Sequence, residues 1–348
     1  MNTKFTILKA IGIFFVVYGH IGGTITFDLF SPYSFHMPLF IFISGYFYKK
    51  TSEKNFTEYS YKKVKNLLYP YFKWNLFYGL LTTLFLSFGL VYFGKKISIR
   101  SFFIDPWITG DQYIFNLAAW FVITLFTVQI VYVLIRKIIR INDYFLLIFL
   151  FLLGFAVTYL SSKGFNYGPM LILIRLFFSL PFYHLGYIYK ERLEKRDKLN
   201  IWTLLTLLIT QILLLQVYGN LNFVMVYGNF NGFILAPFLS SITGIWFCLQ
   251  VADILNKSFS ESKVMKLLGE NTWEIMMHHI FFYWLIKTAF YFLGAPMDVN
   301  EFKSNIWYAY SPLGIRSMIF ITIACLFLPV LTKLLFQSIK TKLSSNIK

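Results

Sequence analysis

Apolar residues along this chain gather into runs of spanning length, separated by short polar connections. The runs cover roughly 5–27, 36–48, 67–93, 117–135, 144–161, 170–189, 200–218, 230–252, 272–293 and 312–337. A helix needs about 20 mainly apolar residues to cross a bilayer. The pattern therefore predicts an all-α fold, a polytopic transmembrane bundle of about ten helices, with the short second run tilted, broken or extended by its flanks. An even count places both termini on one side. The longest connections, 49–66 and 94–116, are too short to fold alone, so residues 1–348 read as one integral-membrane domain without an appended soluble domain.

Charge gives the bundle a direction. With the amino terminus in the cytoplasm, about 22 Lys and Arg residues fall on that side, against Lys95, Lys96, Arg100, Lys163 and Lys303 on the other. Basic residues are retained on the cytoplasmic side during insertion, so both termini are expected there and the protein in the inner (cytoplasmic) membrane. The net charge of +17 is consequently a topology signal and an attraction to membrane lipid, and no nucleic-acid partner is expected. Composition agrees: 57% hydrophobic residues, 14% charged residues and a mean hydropathy of +0.63, where a soluble domain carries about 25% charge. Cys248 and Cys325 lie inside apolar runs without ligand spacing and read as packed thiols.

Against this background, two histidines stand out. His20 lies within the first run and His36 heads the second. A charged side chain at the bilayer centre costs about 2.5 kcal/mol or more, which usually marks a pathway, a partner or chemistry. Lys9 precedes His20 by eleven residues. At about 100° per residue the two share one helix face, about 16 Å apart along the axis. His20 by itself reads equally as a core histidine hydrogen-bonded across helices or as a proton-handling group. Pro38 suits the first turn of a helix, which sets His36 near that helix's amino terminus, facing the outer leaflet.

The stretch LKAIGIFFVVYGHI, followed by FHMPLFIFISGYFYKK, resembles the opening of the integral-membrane acyltransferase family 3, and specifically its fucose 4-O-acetylase-like branch of polysaccharide O-acetyltransferases. His20 matches the histidine of the family's first span and Ser44-Gly45-Tyr46 matches its second motif. Lys9 stands where many members have arginine, which keeps the charge and loses the bidentate fork. The resemblance implies catalysis by His20 as a base or transient acyl carrier. His36, read from its place at the outer end of the second run, is a second catalytic candidate that contacts substrate or handles the proton, or else an interfacial anchor. The resemblance also implies acetyl-CoA as acyl donor, with Lys9 as a cation on the donor side. Lys49 and Lys50 open a basic loop over 49–66 that suits topology and anionic lipid and equally the phosphates of such a donor. No metal is expected.

Further polar residues fall where such a site would need them. Arg175 has no hydrophilic neighbour for several residues on either side, so it must be paired or face a cavity; a structural ion pair with Glu274 or Asp253 is the alternative to a functional role. GENTWEIMMHHIFF brings Asn271, Glu274 and His279 towards one broad helix face. It resembles a family segment that ends in histidine, with His279 as that residue and His278 as an extra one. Adjacent residues point about 100° apart, so the histidine pair is a poor metal site. Trp120 opens the fourth run as a membrane-belt aromatic or a platform for a sugar ring.

The expected function is transfer of an acetyl group from cytosolic acetyl-CoA to a hydroxyl of a cell-surface or exopolysaccharide sugar. The acceptor partner is a glycan or lipid-linked saccharide, supplied by synthase or export proteins. A polysaccharide exporter or flippase, or a synthase-associated membrane scaffold, is the alternative.

Overall fold

A computed structural model describes residues 2–21, 29–90, 93–110, 113–294, 298–300 and 314–345. The end of the first apolar run, residues 22–27, and Lys303 lie outside them. Among the described residues the protein is helical and has no strands, and only two isolated bridges, Gly94 with Tyr113 and Val224 with Asn229, tie loop segments together. The principal helices are α1 (Thr3–Ile21), α2 (His36–Tyr46), α3 (Phe56–Lys63), α4 (Tyr69–Ser87), α5 (Trp120–Ile138) and α6 (Asp143–Ser162). They continue with α7 (Gly168–Ile188), α8 (Ile201–Tyr218), α9 (Ala236–Phe259), α10 (Lys263–Glu270), α11 (Thr272–Phe292) and α12 (Gly314–Ser345).

Each apolar run contains a helix. Among the described residues, six helices are long and apolar enough to cross a membrane, within 114–138, 143–162, 168–193, 201–218, 236–259 and 318–344. This is a multi-pass membrane protein. Helices α1, α2, α4 and α11 fall outside that set. Helix α1 carries Lys4, Lys9 and His20, α11 carries Glu274, His278, His279 and Lys287, and α2 has only 11 residues. In hydrocarbon such groups are tolerated where protein surrounds them, and these helices are indeed wrapped. Helix α1 packs against α2, α9, α10, α11 and α12. By contrast, only 11% of the apolar window of α8 is buried, which marks it as a lipid-facing helix.

Without a strong hydrophobic drive between helices in lipid, close packing and hydrogen bonds hold such bundles together. The crossing of α2 with α7 shows how. A Cβ on Gly45 would lie 1.8 Å from the Tyr183 carbonyl oxygen, and one on Gly186 would lie 2.0 Å from that of Phe42. The two glycines let the backbones touch in both directions. This is a packing reason for the glycine in Ser44-Gly45-Tyr46 and in Leu185-Gly186-Tyr187. Neighbouring helices are tied by ion pairs: Lys4 with Asp253 at 2.7 Å, Arg136 with Asp143 at 2.6 Å and Lys333 with Glu274 at 2.8 Å.

Candidate active site

Three cavities lie in series beside α1. At its lysine-bearing end a chamber of about 600 Å³ is lined by Lys9, Ser44, Lys49, Lys62, Lys63 and Gln129, among others. A chamber of about 410 Å³ at the other end is lined by His20, Tyr33, His36, Trp120, Tyr227 and Met276, among others. Between them is a neck of about 110 Å³. Phe40, Leu125 and Thr272 line both the neck and the lysine chamber. Val16, Met37 and Met276 line both the neck and the histidine chamber. The predicted face of α1, with Lys9 at one end and His20 at the other, is thus the wall common to both chambers.

In the histidine chamber, His36 is the first residue of α2 and is buried, its Nδ1 against the Pro32 carbonyl oxygen. A carbonyl accepts only, so the His36 proton sits on Nδ1 and its Nε2 carries the lone pair. The Tyr33 ring stands perpendicular to His36 at 5.2 Å, and its hydroxyl donates to the Gly19 carbonyl at 3.1 Å, locking this loop to α1. The loop is anchored again from α9. Ser240 and Ser241 hydroxyls donate to the Ser34 carbonyl at 3.2 and 3.0 Å, and Gly244 leaves room for the Phe35 ring, which a Cβ would meet at 2.3 Å. The His20 ring lies 6.4 Å from that of Tyr33 and 5.3 Å from that of His279.

Arg175 is buried, as expected of a guanidinium in this run, but neither proposed carboxylate holds it. Glu274 pairs with Lys333 and Asp253 with Lys4. Arg175 instead donates to the carbonyl oxygens of Val226, of Thr109 at 2.7 Å and of Trp107 at 3.5 Å, and its guanidinium lies 5.4 Å over the Trp120 ring. Val226 and Trp120 both line the histidine chamber. Arg175 is therefore a strut that holds two wall segments, and does not itself line the chamber. Trp120 is only 7% exposed, which rules out a membrane belt and leaves it as chamber wall.

The ninth run divides more sharply than its spacing suggested. His278 turns towards α4, where the Tyr78 hydroxyl meets its Nδ1 at 2.8 Å and the Trp74 ring lies at 4.3 Å. His279 turns towards α1. Asn271 and Glu274, expected in the cavity set, line none of the three cavities. Both are held by Lys333 of α12, each at 2.8 Å, because the amino-terminal turns of α11 face that helix.

In the lysine chamber, Lys9 lies 4.9 Å over the Phe47 ring and Ser44 Oγ accepts from Gln129 Nε2 at 2.7 Å. Gln129 Oε1 is buried without a hydrogen-bond partner. Lys49 lines the chamber, but Lys50 points away. It sits 5.6 Å over the Tyr187 ring and 4.0 Å from Glu191, and its hydrogen bond to Tyr187 holds its ammonium above the usual lysine value. Successive residues on this turn face opposite ways, so the pair Lys49-Lys50 cannot serve one site. Lys62 and Lys63 of α3 take that place. Lys62 pairs with Glu58 at 2.5 Å, which lowers the carboxyl's value. Burial lowers Lys63 below the ordinary lysine value and pushes Tyr59 beside it up to about 12.

Tyr33, Gln129, Met276 and the Met225–Tyr227 turn complete the walls without a motif or spacing that announces them. Two chambers joined by an apolar neck, one cationic and one lined by imidazoles, match a transfer of a group between separate sites. The profile of the acyltransferase domain, family 3, matches residues 2–335. The chain belongs to that family. It is accordingly a membrane acyltransferase. No curated protein and no solved structure matches it.

Proposed function

We propose that this acyltransferase moves an acetyl group from acetyl-CoA, held in the lysine chamber, to a sugar hydroxyl presented in the histidine chamber. It would act as a member of the fucose 4-O-acetylase-like branch on a cell-surface or exopolysaccharide glycan or its lipid-linked precursor. In this reading all ten helical runs span the inner membrane and both termini are cytoplasmic, as the distribution of basic residues favours. The donor then arrives at the lysine chamber and the glycan at the histidine chamber, where synthase or export proteins would supply it.

The observation that carries the reading is the series of cavities along α1, with Lys9 at one end and His20 at the other. Lys9, Lys49, Lys62 and Lys63 suit the phosphates of a nucleotide-bearing donor, and the unpartnered Oε1 of Gln129 suits an amide N–H on its arm. The apolar neck admits a thin arm and a short acyl group. At the far end His20 takes the proton of the sugar hydroxyl as its oxygen attacks the thioester carbonyl. The C–S bond then breaks, and the thiolate leaves with the proton returned by His20. Trp120 and Tyr33 offer the acceptor aromatic walls.

The test is glycan O-acetyl content in cells expressing equal amounts of wild type, His20→Ala and His36→Ala. Loss of acetylation in His20→Ala with the glycan still exported is expected. Unchanged acetylation would overturn the assignment, and loss of the glycan from the surface would point to an exporter.

A further inference from the structure

We infer that His279 is the positioning residue for His20, accepting a hydrogen bond from its ring and so fixing which nitrogen of His20 meets the acceptor hydroxyl. The inference rests on the reading of His20 as the proton-accepting group. His279 is 1% exposed and lines none of the three cavities, so it touches neither substrate and acts through another side chain.

Its own orientation is set within α11. Nδ1 lies 2.8 Å from the Ile275 carbonyl oxygen and 3.1 Å from that of Met276. Two acceptors on Nδ1 require the proton there, so Nε2 of the neutral ring bears a lone pair and can only accept. That Nε2 is buried and has no hydrogen-bond partner. Buried polar atoms without partners are rare and call for an explanation. The ring of His20 is placed to supply it on a small ring rotation, because the two centres are 5.3 Å apart and the planes are tilted by 47°. Two imidazoles joined by an N–H···N bond of about 2.9 Å have centres about 5 Å apart.

The consequence for His20 is directional. A ring nitrogen donating to His279 directs the other, as the accepting one, to the chamber that His20 lines with Tyr33 and His36. When that nitrogen takes the hydroxyl proton, the imidazolium is already hydrogen-bonded on its far side. A base oriented by a third group is the general pattern of assisted nucleophilic attack. His278 does not substitute, since it points about 100° away and is engaged there by Tyr78 and Trp74.

The test uses the full-length protein in membranes, with acetyl-CoA as donor and the glycan fraction of the producing cells as acceptor, and follows release of free thiol. His279→Leu, which cannot accept, should lower kcat about 100-fold and leave the KM for acetyl-CoA within twofold. His279→Gln, whose carbonyl accepts at similar reach, should stay within tenfold of wild type. A kcat for His279→Leu within threefold of wild type would overturn the inference, as would His279→Gln losing as much as His279→Leu. Should His279→Leu fail to fold, ¹⁵N-histidine spectra of the wild type decide. A ring protonated on Nδ1 with a hydrogen-bonded Nε2, missing from His279→Gln, supports the pairing, and a ring protonated on Nε2 refutes it. Thiol release that survives His20→Ala removes the parent reading. Release that needs His20 but ignores His279 removes this inference alone.

Discussion

The two chambers are built in opposite ways. The lysine chamber draws most of its wall from one continuous stretch, residues 40–63, with Lys9 and a few residues of α5, α7 and α11 closing it. Its cations sit on long, adaptable stems, and one of them, Lys62, is already shared with Glu58. The histidine chamber is assembled from α1, the 33–38 segment, residues 117–120, the 223–227 loop and Met276. Its parts are pinned by buried bonds to backbone carbonyls: Tyr33 to Gly19, Ser240 and Ser241 to Ser34, Arg175 to Val226 and Thr109. Long-range charge recognition tolerates loose geometry, whereas proton transfer needs a heavy-atom approach of about 2.6–3.2 Å. On the proposed assignment, the difference in construction follows the difference in task.

Substitutions can set these two designs against each other. The largest effect is expected at His20: His20→Ala should reduce acetyl transfer by about 10³-fold, within the range attributed to general base catalysis, with unchanged protein level by immunoblot. Next comes Arg175→Ala. It leaves three carbonyl acceptors and a stacked tryptophan without their cation, and should destabilise the protein by about 3 kcal/mol, read as a lower thermal midpoint in detergent. Arg175→Lys should recover only part of this, because an ammonium cannot reproduce the planar fork. A stable, fully active Arg175→Ala would show that the histidine chamber does not depend on that strut.

Gly45→Ala tests the crossing of α2 with α7 that both chambers share. Its Cβ meets a backbone oxygen that cannot swing aside, so a loss of about 1–3 kcal/mol is expected, measured as reduced thermal stability in detergent. The smallest effects belong to the lysine chamber. Lys62→Gln with Lys63→Gln should raise the KM for acetyl-CoA about tenfold, equivalent to about 1.4 kcal/mol, and leave kcat nearly unchanged. A fall in kcat with constant KM would contradict a donor-binding role.

A pH titration refines this last contrast. Burial holds Lys63 below the ordinary value of 10.5, because the buried ammonium is disfavoured relative to the neutral amine. As pH rises above neutrality Lys63 loses its charge before a solvent-exposed lysine does, and the phosphates of the proposed donor would lose a partner. The KM for acetyl-CoA should therefore climb on the alkaline side. In Lys63→Arg, which keeps its charge, the climb should shift to higher pH.

Much of this arrangement was readable along the chain. Apolar run length gave the positions of the helices, and the eleven-residue interval placed Lys9 and His20 on one face, because both quantities depend on a single helix. The 100° step between neighbours likewise foretold that His278 and His279 would part. That step did not say which neighbour each would meet. Tertiary packing sent Asn271 and Glu274 to Lys333, turned Lys50 to Glu191, and gave Arg175 carbonyl oxygens in place of Asp253 or Glu274. Those carbonyls belong to residues 107, 109 and 226, and a backbone acceptor leaves no signature in a residue type. Periodicity decides which side chains share a face. Which groups stand opposite that face, and hence whether a buried imidazole has a chamber and a partner, is settled only when distant segments close around it.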